Sequence, residues 1–300
     1  MKLLILGGDG MLGHKLYQTL GPRFDTFATV RGAASAAARL PVYVATGGRG
    51  LIGGVDAFNF SSVIKAFGSA RPEVVVNCIG IVKQRQEAHD PTVALTVNSL
   101  MPHHLADLCA ASGARLVHIS TDCVFSGEKG GYRESDPADA QDLYGRSKLL
   151  GEVTRPGCVT LRTSIIGRDF RNHTGLLEWF LAQRGTTVQG YRRMVFSGFP
   201  TQTFSEIIGA VIEKHPALDG LYHVASAPIA KCELLQKLQS AMAVDVGIEP
   251  TDGPRCDRSL DGGRFVAVTG LTIPSWDEMA GVLASDTTPY DDWRVDHATP

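Results

Sequence analysis

The chain has few aromatic residues, almost no net charge and no long apolar run. Of its 300 residues 7% are aromatic and 20% charged, and 29 basic side chains face 31 acidic ones, for a net charge of −2. That balance argues against a broad basic surface, so no nucleic-acid partner is expected. No stretch approaches the roughly 18 to 20 apolar residues that span a bilayer, so no membrane partner is expected either. The opening apolar run breaks at Gly7, Gly8 and Asp9, too short for a signal-peptide core. Six cysteines, at 78, 109, 123, 158, 232 and 256, form no C-x-x-C pair and share no zinc spacing with histidine. Reduced thiols in a cytoplasmic protein, with no metal site, are the expectation. His103 and His104 are adjacent, and helix neighbours face apart, which disfavours a metal pair. What is present in quantity is apolar residue, at 44%: too much for a disordered chain, and enough for a core at this length.

Short apolar runs alternate with helical periodicity. The pattern predicts strands at 2–6, 26–30, 42–45, 73–78, 115–120 and 159–163. Helices are predicted at 12–20, 60–67 (ending at Gly68), 91–111 and 143–153. Strands alternating with helices imply an α/β fold with a doubly wound parallel sheet. The second half is less regular, with helices predicted at 176–183, 205–214, 231–242 and 276–283 and a short strand at 221–224. Residues 247–254 read as a Gly- and Pro-bearing connection. The expected division is a sheet domain over 1–167, completed by about 200–224, with a smaller C-terminal lobe from 168–199 and 225–300. The alanine-rich tract 33–38 is either a loop or a helix start, and the tail 285–300 is expected to be poorly ordered.

Gly7-Gly8-Asp9-Gly10-Met11-Leu12-Gly13 follows the first strand and opens the first helix. Glycines there permit a tight turn and close backbone approach to a diphosphate, and the helix N-terminus offers unpaired N–H groups. A lone glycine triplet is weak; at the first strand–helix junction of a βαβ unit it points to a Rossmann-type dinucleotide site. NAD enzymes usually place an acid at the end of the second strand. Here that strand ends Thr29-Val30-Arg31, and no acid occurs from 26 to 45. Arg31 suits a 2′-phosphate, so NADP (as NADPH) is the expected cofactor with NAD as the alternative; an ordinary surface arginine remains the other reading. Asp56 could accept from an adenine amino group or cap a loop or helix.

Tyr144 and Lys148 stand four apart at the start of a predicted helix and so share a face. A nearby ammonium favours phenolate and would bring the phenol towards a useful general-acid or general-base range. The pair follows the strand ending Ser120-Thr121-Asp122, and ligands bind at the carboxyl ends of strands in open α/β sheets. The hydroxyl of Thr121 could hydrogen-bond the same substrate oxygen as Tyr144.

With these stretches in view, the chain resembles the dTDP-4-dehydrorhamnose reductase-like branch of the extended short-chain dehydrogenase/reductases. The resemblance is carried by GGDGMLGHKL (7–16), VVVNCIG (74–80), VNSLMPHHLADLC (97–109) and LVHISTDCVFSGEKGGYRESD (116–136). It continues in DLYGRSKLLGE (142–152), LRTSIIG (161–167), GLYHVAS (220–226), RSLDGGRF (258–265) and PSW (274–276). It implies Thr121, Tyr144 and Lys148 as the catalytic set, with Asn98 completing a proton relay or, alternatively, serving as a capping or core-satisfying residue. It implies a cofactor held by Gly7, Gly10, Met11, Leu12 and Gly13, by Arg31 and Asp56, by Cys78 and Gly80, and by Tyr144 and Lys148. Cys123, Phe125 and Arg162 fall on the substrate side, Arg162 being equally readable as a core arginine. The implied partners are a nucleotide-sugar substrate and a second copy of the chain in a homodimer.

Two departures stand out. The family reductases usually read S-T-D-Y-V-F where this chain has Cys123, and often carry an aromatic where Ile165 and Ile166 follow L-R-T-S. The chain also lacks the Asp-Glu pair of nucleotide-sugar dehydratases, having Asp122 followed by Cys123. The leading expectation is therefore an NADPH-dependent reductase of a nucleotide-activated 4-keto-6-deoxy sugar. An epimerase that retains its NAD(P), or a non-catalytic NADP-binding regulatory subunit, are the alternatives.

Overall fold

Strand β1 (Lys2–Leu6) is buried from Leu3 onward, as a central parallel strand covered on both faces must be. Leu3 and Ile5 join one core, and Leu4 and Leu6 join a second on the opposite face. This computed structural model describes residues 1–44, 47–83, 89–171 and 175–290. After β1 come α1 (Met11–Leu20), β2 (Asp25–Thr29), α2 (Ala34–Ala37), α3 (Pro41–Val44), β3 (Leu51–Ile52), α4 (Phe60–Ala70) and β4 (Val74–Asn77). Next are α5 (Pro91–Ala94), a π-helical turn (Leu95–Leu100), α6 (Met101–Ser112), β5 (Arg115–Thr121), α7 (Leu143–Leu150) and β6 (Cys158–Thr163). The remainder runs β7 (Ile165–Ile166), α8 (Leu176–Leu181), β8 (Thr187–Tyr191), β9 (Met194–Phe196), β10 (Phe199–Pro200), α9 (Thr201–Lys214) and β11 (Gly220–His223). It closes with β12 (Ile229–Ala230), α10 (Lys231–Met242), β13 (Gly247–Thr251), β14 (Cys256–Asp257), α11 (Gly263–Thr269) and α12 (Trp276–Ala284).

Seven strands form one sheet in the order β11-β6-β5-β4-β1-β2-β3, every pair parallel. The chain leaves β1 towards β2 and β3, then returns to lay β4 on its other side. That reversal is the topological switch point, and the loops after β1, β4 and β5 open at it. The fold is the expected α/β, Rossmann-type doubly wound sheet. Outside this sheet β7 pairs with β10, β8 with β13, and β9 with both β12 and β14.

Four local readings differ. Residues 42–44, expected as strand, lie in the helix α3, and the edge strand is β3 instead; Ala45 lies outside the described residues. A short apolar run cannot tell strand from buried helix, and a proline at a helix start favours the second. Gly68 does not end α4, which runs to Ala70 and stops at Arg71 in the left-handed region, φ 47°. The connection 247–254 contains β13, paired in parallel with β8. Asp286 to Tyr290 of the expected loose tail dock on the molecule, with Tyr290 only 2% exposed; the tail from 291 lies outside the described residues.

Candidate active site

The glycine turn links the end of β1 to α1. Gly7 has φ +80°, and its amide donates to Thr29 Oγ1 at 3.0 Å. A Cβ on Gly13 would stand 2.0 Å from Gly7 O, so only glycine lets α1 pack this close to the turn. A Cβ on Gly10 would meet only Gly7 O, at 3.4 Å, which leaves this part of the turn as bare backbone on its outer side. Met11 and Leu12 begin the helix there. Arg31 is exposed two residues beyond β2. Asp56 follows β3 and accepts from Phe58 N at 3.1 Å through Oδ1. Cys78 lies just past β4, where burial pushes its thiol well up.

Thr121 is the last residue of β5. Its Oγ1 accepts from Cys123 N at 3.1 Å and donates to Asp122 Oδ1 at 3.1 Å. Asp142 caps α7 by accepting from Gly145 N at 2.8 Å, which starts the helix one residue before Tyr144. Burial is the largest influence on the Tyr144 phenol and, with the neighbouring Cys123, Asp122 and Asp142, pushes its pKa up, against the lowering effect of the nearby Thr121 hydroxyl. Lys148 is buried, and its Nζ donates to Ile119 O at 2.7 Å. Burial lowers its pKa to about 8, against the attraction of Glu152 and Cys78. The phenol therefore stays protonated in this arrangement: burial, not the lysine, sets the direction of its shift.

The π-helical turn carries Asn98. Its Oδ1 accepts from Ile81 N at 2.9 Å, and its Nδ2 donates to Ile81 O and Ser147 Oγ, both at 3.1 Å. Asn98 thus ties the loop after β4 to α7, beside Gly80, whose Cβ position would be 3.4 Å from Asn98 Oδ1 and 3.9 Å from Lys148 Nζ. A π turn inside a long helix is often found at functional sites.

Of the residues expected on the substrate side, Cys123 is half-buried, its thiol pushed up to about 12 by burial and by Asp122. Phe125 is fully buried and stacked on Tyr132 at 4.2 Å. Arg162 is engaged in the core: Nε and Nη2 each reach Glu152 at 2.7 Å, and Nη1 lies 3.1 Å from His223 Nε2. Its guanidinium sits 5.2 Å from the Phe125 ring centre. Ser120 Oγ donates to the same Glu152 at 2.6 Å. Sequence reasoning did not single out Glu152 and His223, although both lie in stretches that carry the resemblance. It also missed Arg258, whose Nε donates to Phe125 O at 2.8 Å.

The model of the RmlD substrate binding domain family matches residues 1–257. The chain belongs to that family. It is 37% identical over 150 residues to a dTDP-4-dehydrorhamnose reductase of Streptomyces griseus, a match covering 50% of this chain and 43% of that protein. The matched stretch is thus less than half of that relative's length. The structure superposes on the dTDP-4-dehydrorhamnose reductase of Bacillus anthracis in complex with NADP, with a TM-score of 0.76 at 23% identity over 94% of this chain and 98% of the other. It also superposes on the Thermus thermophilus UDP-glucose 4-epimerase complexed with NAD, with a TM-score of 0.74 at 20% identity over 98% and 99%. At such identities these two likenesses show the shared fold. Among the described residues no helix is long and apolar enough to cross a membrane.

Proposed function

We propose that this chain is an NADPH-dependent reductase of a nucleotide-activated 4-keto-6-deoxy sugar. The observation that carries it is Thr121 at the carboxyl end of β5 with Tyr144 as its neighbour and Lys148 one helical turn on, beside the switch point. The donor set fits a dinucleotide: the bare backbone around Gly10 suits a diphosphate, and Lys148 and Tyr144 suit a ribose and nicotinamide. In this reading Gly7, Gly10, Met11, Leu12 and Gly13 hold the diphosphate, Arg31 and Asp56 the adenosine end, and Cys78 and Gly80 line the way to the ring. The bound cofactor would supply a hydride to the keto carbon. Tyr144, kept protonated by burial, gives its proton to the oxygen as negative charge develops, and Thr121 steadies that oxygen. Lys148 binds the ribose hydroxyls, and Asn98 braces the loop and helix along the route by which Tyr144 regains a proton. Cys123 faces the sugar, while the fully buried Phe125, with Arg162 over its ring, shapes that side from behind. The division into a dinucleotide domain and a substrate-binding lobe belongs to this reading, as does a homodimer, which sedimentation equilibrium tests.

The deciding assay follows NADPH absorbance, with NADH for comparison, on addition of dTDP-4-keto-6-deoxy sugar. Stoichiometric oxidation that falls by at least about a hundredfold in Tyr144→Phe is the expected result. Sugar conversion without net NADPH consumption would indicate a cofactor-retaining epimerase. Tight binding without any conversion would contradict the reductase reading for this sugar and favour a binding subunit.

A further inference from the structure

The glycine turn is held from beneath by two tyrosines outside any motif. Tyr43 on α3 donates its hydroxyl to Gly8 O at 2.6 Å. His14 on α1 places Nδ1 2.8 Å from Gly10 O and Nε2 2.7 Å from the hydroxyl of Tyr290. His14 is fully buried, and burial lowers its pKa to about 4, so the ring is neutral near pH 7. A neutral imidazole has one donor and one acceptor nitrogen. The Gly10 carbonyl can only accept, so Nδ1 donates to it and Nε2 accepts from Tyr290.

Tyr290 is itself fixed. Its ring meets His14 edge-on at 5.7 Å, and the Arg168 guanidinium lies 4.8 Å from its centre. Two residues of the preceding stretch pin it further. Lys15 Nζ pairs with Asp286 at 2.7 Å, both side chains buried, and donates to Thr288 Oγ1 at 2.9 Å. Gln202 on α9 donates to Asp286 Oδ2 at 2.8 Å. Positions 286, 288 and 290 thus grip α1 in alternation, 276 residues from its His14 in the case of Tyr290.

A peptide unit is planar and trans, so its N–H points away from its C=O. Holding the Gly8 and Gly10 carbonyls inward turns the amides of Asp9 and Met11 outward. Met11 is the first residue of α1, and its amide has no intrahelical acceptor. We propose that Tyr290, acting through His14, is a positioning residue for dinucleotide binding: it locks the Gly10 carbonyl so that the Met11 amide faces the diphosphate. This rests on the dinucleotide reading above. Reciprocity requires that a bound diphosphate in turn tighten the docking of 286–290.

Tyr290→Phe removes the hydroxyl and keeps the ring and the Lys15–Asp286 pair. Affinities are measured for NADPH by fluorescence and for adenosine 2′-monophosphate, which has no diphosphate, by calorimetry. The variant should bind NADPH about three- to tenfold more weakly, the span of one net hydrogen bond, while the monophosphate changes by less than about twofold. Hydrogen exchange at 286–290 should slow when NADPH binds the wild type, and less so in the variant. Asp286→Asn, which loosens the same segment elsewhere, should weaken NADPH in the same sense and guards against a fold defect peculiar to Tyr290→Phe. Unchanged NADPH affinity in Tyr290→Phe, or an equal loss for the monophosphate, overturns the inference alone. A wild type that binds neither NADPH nor NADH overturns the dinucleotide reading and the inference with it.

Discussion

Lys148 shows the conflict between stability and function at a single residue. Its ammonium sits 5% exposed with a backbone carbonyl as hydrogen-bond acceptor, and burial lowers its pKa from 10.5 to about 8. A lysine whose folded pKa lies below its unfolded value destabilises the fold at pH below 8, and the penalty fades as pH rises towards 10.5. The shift corresponds to roughly 3 kcal/mol. Lys148→Met should therefore raise the unfolding free energy at pH 7 by about 1 to 3 kcal/mol in urea titrations while abolishing turnover. A destabilised Lys148→Met would show that the charge is better compensated than this account allows. Thr121, Tyr144 and Lys148 were legible because they lie close in sequence, on one strand end and one helix face. The Glu152–Arg162–His223 cluster was not, because only the pairing of β6 with β11 sets His223 beside Arg162, which in turn holds Glu152.

Among the elements, β1, β4, β5 and β6 were readable from sequence because central parallel strands are apolar on both faces. The edge was not: β3 has two residues, and the apolar run before it folds as α3. The helix over 91–112 was readable, but not its π turn, since periodicity averages over one extra residue. Helix ends carry a testable feature. α10 stops at Ala243, in the left-handed region at φ 49°, with its amide bonded to Gln239 O. An alanine there carries a penalty of about 1 to 2 kcal/mol that glycine lacks. Ala243→Gly should accordingly stabilise the protein by about 1 kcal/mol, measured by denaturant unfolding. A loss of stability would mean that the αL cap is not under strain.

At the scale of the whole molecule, three histidines among the described residues are buried in polar networks rather than at the surface: His14, His118 and His223. Burial lowers the pKa of each, His14 from 6.5 to about 4 and His118 well below its usual value. The unfolded chain then binds more protons than the folded one below pH 6.5, so stability falls as pH drops through that range. His14 alone should account for about 2 kcal/mol between pH 7 and 5. Urea unfolding across that interval should show a loss of several kcal/mol, before most carboxylates titrate; a flat profile would contradict the buried, neutral assignment.

The central claim joins the glycine turn, Lys148 and the Thr121–Tyr144 pair into one hydride-transfer site. The most direct test is NADPH oxidation on addition of dTDP-4-keto-6-deoxy sugar, run beside Tyr144→Phe. One NADPH consumed per sugar by the wild type, and almost none by the variant, is what this arrangement predicts. Oxidation that persists unchanged in Tyr144→Phe would contradict it.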